Sequence, residues 1–176
     1  MTESKTDSKF EKAQSTYATF LDGISSLMLA TCDASGQPNA SYAPFVADDE
    51  RNFYVYISGL STHTKNIAET GKVSVMAIED EATTQQIFAR GRLSFECSAA
   101  ELERETEEWE AIADRFHKRF GKIIDVFRPL PDFRIIKLEP SAGRFVIGFG
   151  AAYDVSGDDL NTLVQVTGEG KGHGSR

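Results

Sequence analysis

Three short apolar segments follow one another with only turn formers between them, and this pattern commits the chain to sequential antiparallel strands. Ser25–Cys32 (SSLMLATC) has no helical period, and Asp33–Asn39 (DASGQPN) is dense in turn residues. Ala40–Ala47 (ASYAPFVA) reads as a second strand, in which Pro44 suggests an edge or a bulge. Asp48–Asn52 is another turn, and Phe53–Ser58 (FYVYIS) has the aromatic and β-branched residues of a third strand. Connections this short join neighbours, so the three form a meander.

The rest of the chain alternates helix and strand signals. Phe10, Ala13, Tyr17, Phe20 and Leu21 make a helical stripe. Thr62–Thr70 is a short helix stopped by Gly71. Lys72–Glu79 reads as a strand buried on both faces or nearly so, and Ile87–Cys97 as a long strand with a bulge or close approach at Gly91. Ser98–Gly121 is the clearest helix. Ser98 and Glu101 form a capping box, and Leu102, Trp109, Ile112, Ala113, Phe116 and Phe120 form the apolar stripe. Acids crowd its first half and bases its end, which suits the helix dipole. After the Pro-containing segment Arg128–Asp132 come Phe133–Leu138 and Gly143–Phe149, with Pro140–Gly143 as the turn between them.

The expected fold is mainly β (α+β): a six-stranded antiparallel split β-barrel with flanking helices. A chain of 176 residues fits one such domain, placed at residues 10–166. Residues 1–9 are expected to be a flexible N-terminal tail, and 167–176 a flexible Gly-rich tail carrying His173.

Charge and composition narrow the function. Nineteen Lys and Arg against 27 Asp and Glu give a net charge of −8, whose field repels nucleic acid. Two or three cations suit a small anionic ligand better than a polymer. No apolar run approaches the roughly 20 residues of a membrane span. Met1–Lys9 shows no secretory signal, so a cytoplasmic location is the default expectation. Two cysteines, Cys32 and Cys97, exclude a disulfide scaffold and a four-cysteine zinc site, and both read as small core residues. The histidines, His63, His117 and His173, are too scattered for a zinc cluster, but a heme iron needs only one of them.

Four places carry side chains with chemical potential. His63 and Lys65 lie among hydroxyls where a strand hands over to a helix, an arrangement that suits phosphate or carboxylate; N-capping by Ser61 or Thr62 is the bland alternative. Arg90 and Arg92, two apart in the expected strand, share a face with Phe88 and Ser94, either as an anion clamp or as solvated charges. His117 suits the end of a charge-rich helix. His173 is either an idle tail residue or the imidazole that a flexible arm lays over a cofactor, with Asp132 a sensible carboxylate to orient it.

Several stretches resemble one family. Leu29–Phe45 (LATCDASGQPNASYAPF) resembles the opening hairpin of the pyridoxamine-phosphate-oxidase-like FMN-binding split barrels. Ile57–Ser58, His63–Asn66, Val73–Asp80, Phe88–Leu93, Arg119–Asp125, Asp132–Phe133 and Gly148–Tyr153 are similar to its HugZ/HutZ-type heme-utilisation branch. The likeness spans residues 20–173. It implies a homodimer with cofactor sites at the interface, which binds heme and cleaves it with O2 and an electron donor to release iron. It also implies His173 as the axial ligand of the heme iron, Asp132 as the acid behind that ligand across the dimer, and Arg92 on the ligand side. His63, Lys65, Arg90, Ser58 and Thr31 are implied as further cofactor contacts. Two alternatives share the fold. One is an FMN-dependent oxidoreductase whose flavin phosphate lies on Ser61–Lys65 and Arg90 or Arg92. The other is a heme carrier or store without turnover.

Overall fold

The computed structural model describes residues 3–167, and side chains from Ser8 onward. Helix α1 (Glu3–Thr19) precedes the expected meander of β1 (Ser26–Cys32), β2 (Pro38–Ala47) and β3 (Phe53–Ser58). Then come α2 (Thr62–Thr70), β4 (Lys72–Ile78), β5 (Arg92–Glu101), α3 (Glu107–Phe120), α4 (Ile123–Phe127), β6 (Phe133–Gly148), β7 (Ala151–Ser156) and β8 (Thr162–Gln165). The sheet runs β3-β2-β1-β4-β5-β6-β7-β8, and β3 also pairs with β6. That extra pairing closes six strands into a barrel and leaves β7 and β8 as an outboard hairpin. No helix among the described residues is long and apolar enough to cross a membrane.

Two cores explain the strand patterns. In β1, Leu27, Leu29 and Thr31 point inward, while Met28 and Ala30 point out. In β3 both faces are covered. Phe53, Val55 and Ile57 enter the barrel core, and Tyr54 and Tyr56 pack outward on Trp109, Ile112, Ala113 and Phe116 of α3. This is why FYVYIS has no polar alternation. Each large side chain so buried contributes about 1.5–3 kcal/mol. Arg119 secures α3 by donating to the Phe45 carbonyl (3.0 Å) and the Ile24 carbonyl (2.5 Å) while lying over the Phe45 ring.

The structure corrects the local readings where lateral pairing outweighs local signals. Ile87–Cys97 is not one strand: Ile87–Ala89 is a 3-10 turn, and β5 begins at Arg92. Gln86 accepts from the Phe88 amide, and the Glu79 carboxylate accepts from the Gly91 amide, so side chains close this loop. The Ser98–Glu101 capping box does not form either. Those residues stay in β5 because Ser98 pairs with Lys72 and Glu139 on its two sides. The helix starts at Glu107, where the Thr106 hydroxyl accepts from the Trp109 amide (3.2 Å). Lys72–Ile78 is buried on one face only, through Val73, Val75 and Ala77. The two final segments are a single 16-residue strand, β6; Pro140 lies at a β-bulge near Cys97 rather than in a turn. Cys97 and Trp109 are core residues as expected, and Cys32 is half-buried.

Candidate functional site

Ser58 ends β3 and Asp132 immediately precedes β6, and the register pairs Ser58 with Phe133. The Ser58 hydroxyl donates to Asp132 Oδ2 (3.1 Å), and the Gly59 amide donates to the Asp132 carbonyl (2.5 Å). A Cβ at position 59 would come within 3.0 Å of that carbonyl, so glycine permits the approach. The Ser58 hydroxyl also accepts from the Leu60 amide (3.2 Å), and the Ser58 carbonyl accepts from the Thr64 hydroxyl (2.7 Å). The chain reversal that begins α2 is thus built on Ser58. Ser61, at the N-cap of α2, makes no side-chain capping bond. Asp132 is half-buried, and no described residue hydrogen-bonds its Oδ1, so the carboxylate can accept from an incoming N–H.

A second group forms where α2 lies on the β1–β2 hairpin. Thr31 and Asn39 are cross-strand partners, as are Leu29 and Ser41. Buried Asn66 donates to the Thr31 hydroxyl (3.1 Å), and Asn39 donates to the same oxygen (3.4 Å). One turn earlier on α2, His63 Nδ1 meets the Ser41 hydroxyl at 2.9 Å, while its Nε2 is buried without a protein partner among the described residues. Burial lowers the His63 pKa below its ordinary 6.5, so the ring is neutral at pH 7. Neither Asn66 nor Ser41 was anticipated from sequence. The available signal was an asparagine three residues after His63 in a short helix, which faces the same way.

The anticipated cations are spread out, and of them Lys65, whose cleft is also lined by Gly59 and Thr64, adjoins the Ser58–Asp132 group. Lys65 is exposed on the opposite side of α2, in an open cleft of about 500 Å³ shared with Arg134 and Glu69. Arg90, outside the strand, donates to the Glu79 carbonyl (2.6 Å) and pairs with Glu81 (3.4 Å). Arg92 donates to the Arg90 carbonyl (3.1 Å). The two arginines are therefore not projected side by side from one strand face: Arg90 lies in the loop, and only Arg92 belongs to β5. His117 pairs with Asp125 across the α3–α4 corner (3.3 Å). His173 lies outside the described residues.

The His63 ring gives a pH signature with a definite sign. Its folded pKa lies below the unfolded value, so between the two the unfolded chain binds the proton first. Stability from the neutral ring is complete above pH 6.5 and declines as the pH falls through that value. The His63→Gln variant is expected to lose less stability than wild type between pH 7 and pH 5 in urea unfolding. Parallel curves for the two proteins would show that the ring does not contribute this dependence.

The sequence matches the pyridoxamine 5'-phosphate oxidase family over residues 13–147. It is 47% identical over 140 residues to a heme oxygenase, HutZ, of Vibrio cholerae, a match covering 80% of this chain and 79% of that one. Among solved structures, HutZ of Vibrio cholerae, described as a heme storage protein, aligns with a TM-score of 0.72 and 39% identity, over 76% of this chain and 94% of that one. ChuZ of Campylobacter jejuni aligns with a TM-score of 0.82 and 34% identity, over 94% of this chain and 67% of that one.

Proposed function

The chain belongs to the pyridoxamine 5'-phosphate oxidase family, within its heme-utilisation branch, and from that premise we propose that it binds heme and degrades it oxidatively to release iron. It does so as a homodimer, with O2 and an electron donor as co-reactants. The observation that carries this reading is the fixed Ser58–Asp132 pair. A carboxylate held in this way is the group that orients an imidazole ligand and raises its basicity.

The described residues fit such a ligand. Heme is flat, mostly apolar and dianionic, so it needs apolar walls and cations. Tyr42, Met28 and Met76 form a row across β2, β1 and β4 on the outer face of the barrel. Tyr42 is 65% and Met28 48% exposed, which leaves an apolar surface for a second copy or a ring edge. The clefts take up the anticipated residues singly: one contains Arg90, another Thr31 and a third Lys65. A site drawing on all of them is completed by the second copy. Bound heme supplies the chemistry of O2 activation.

The protein's own residues bind, orient and exclude. In this reading His173 holds the iron, Asp132 accepts the N–H of its ring, and Ser58 keeps the carboxylate turned toward it. Arg92 or Lys65 neutralises a propionate, and His63, neutral and desolvated, lines the cofactor space without adding charge. A cytoplasmic location belongs to the same reading.

The test is a hemin titration of the purified protein followed by ascorbate in air. The expected result is one hemin per protomer, with a Soret band that decays as iron is released. A Soret band that persists under reductant and air identifies a heme store instead. Purification as a yellow flavoprotein indifferent to hemin would sink the heme reading. It would favour FMN, for which the shared Lys65–Arg134 cleft offers a phosphate site.

A further inference from the structure

The five residues Arg128–Asp132 (RPLPD) contain two prolines, which lack the N–H that a helix or a ladder needs. Their carbonyls still need donors. One side chain from elsewhere supplies them. Arg104, in the link between β5 and α3, donates from Nη2 to the Arg128 carbonyl (2.5 Å) and from Nη1 to the Leu130 and Phe133 carbonyls (both 3.1 Å). Its guanidinium lies 4.9 Å from the ring centre of Trp109, which is buried in the core under α3. None of the ion pairs among the described residues involves Arg104. Its charge is directed to peptide carbonyls.

The bonded carbonyls bracket Asp132, with Leu130 before it and Phe133 after it. We propose that Arg104 is a positioning residue for Asp132, fixing the place of its carboxylate through the backbone on either side. The inference rests on the role given to Asp132 under the heme reading. Only a guanidinium can hold the segment in this way, because it presents five donors in one rigid plane and stacks flat on an indole. An ammonium at the same place reaches one or two carbonyls and does not stack in the same way. Ser58 and the Gly59 amide then hold Asp132 from the β3 side, so the acid is fixed from two directions.

The experiment compares wild type, Arg104→Ala, Arg104→Lys and Asp132→Asn in the full chain. Amide exchange reads the hold on the segment, since the Leu130 amide donates to Phe127 and the Phe133 amide to Leu130. In Arg104→Ala these two amides are expected to exchange at least about tenfold faster, because charged hydrogen bonds are lost. The barrel amides of Val55 and Ile136 should be unchanged. With hemin bound, Arg104→Ala is expected to reproduce the Soret shift of Asp132→Asn, and the double variant to add nothing. Arg104→Lys should restore neither readout, although it keeps the charge. Unchanged exchange at Leu130 and Phe133, or full restoration by lysine, overturns the proposal. If Arg104→Ala unfolds as a whole, Arg104→Lys carries the same comparison. Faster local exchange with an Asp132→Asn spectrum identical to wild type overturns the role of Asp132 and leaves the hold of Arg104 intact.

Discussion

His173→Ala is expected to weaken hemin binding by at least about tenfold, or about 1.4 kcal/mol, and to replace the Soret band of wild type with that of loosely held hemin. The apolar and cationic contacts would remain, so some binding should persist. The lost part is the bond from imidazole to iron, which neither of the two described histidines can replace. His117 is engaged with Asp125 at the α3–α4 corner, and His63 is packed beneath α2 against Ser41. His117→Ala is therefore the matched control and should titrate like wild type. Equal affinity and equal spectra for His173→Ala and wild type would remove His173 from the site. In the reductant assay the same variant should lose nearly all turnover, because an iron held without its ligand lacks the electron density that the Asp132-backed imidazole provides.

The largest effect on the fold is expected at Gly143. A Cβ there would stand 2.6 Å from the Phe95 ring and 2.9 Å from the Ser94 carbonyl. Phe95 is itself 4% exposed and packed against the Phe53 ring in the barrel core, so the ring has nowhere to go. Overpacking of this kind costs about 1–3 kcal/mol, and a fixed backbone oxygen puts Gly143→Ala at the upper end. For a chain of this size that lowers the melting temperature by roughly 6–12 °C. Gly148→Ala, five residues along the same strand and meeting nothing within 4 Å, serves as the comparison and should shift it little. Similar melting temperatures for the two variants would show that β6 can slide to admit the methyl group.

The sequence told most where a signal was both local and laterally supported. The meander, the αL stop at Gly71 and the apolar stripe of α3 are all of that kind. It misled where two levels disagreed. Ser98–Glu101 has a good capping pattern, yet strands on both sides offer it a ladder, and the ladder prevails. Pro140–Gly143 has turn residues, but a bulge absorbs the proline and β6 continues. The outboard strands β7 and β8 carry too few buried positions to stand out: only Tyr153 and Val155 in one, and Leu163 in the other. At the site, the pairing of Ser58 with Asp132 crosses 74 residues, and no spacing rule reaches that far. Arg104 carries no sequence signal for a related reason. Its partners are carbonyls, which no side-chain pattern records, although the two prolines at 129 and 131 marked a segment in need of a donor.

The length of β6 sets a distance that the chain cannot shorten at will. Asp132 stands at its head. The outboard hairpin brings the chain back to Val166, whose amide meets Ala152, itself the partner of Val146 near the other end. From Phe133 to Val146 a straight strand measures about 43 Å. From Val166 to His173 a fully extended chain measures at most about 25 Å. The bulge and the curl of the barrel take up part of the difference, while the sideways offset of two strands, about 10 Å, restores some of it. Under the proposed heme reading the strand thus works as a ruler that favours Asp132 of one copy meeting His173 of the other. In that reading the site belongs to the assembled pair, and a lone protomer would carry two incomplete halves of it.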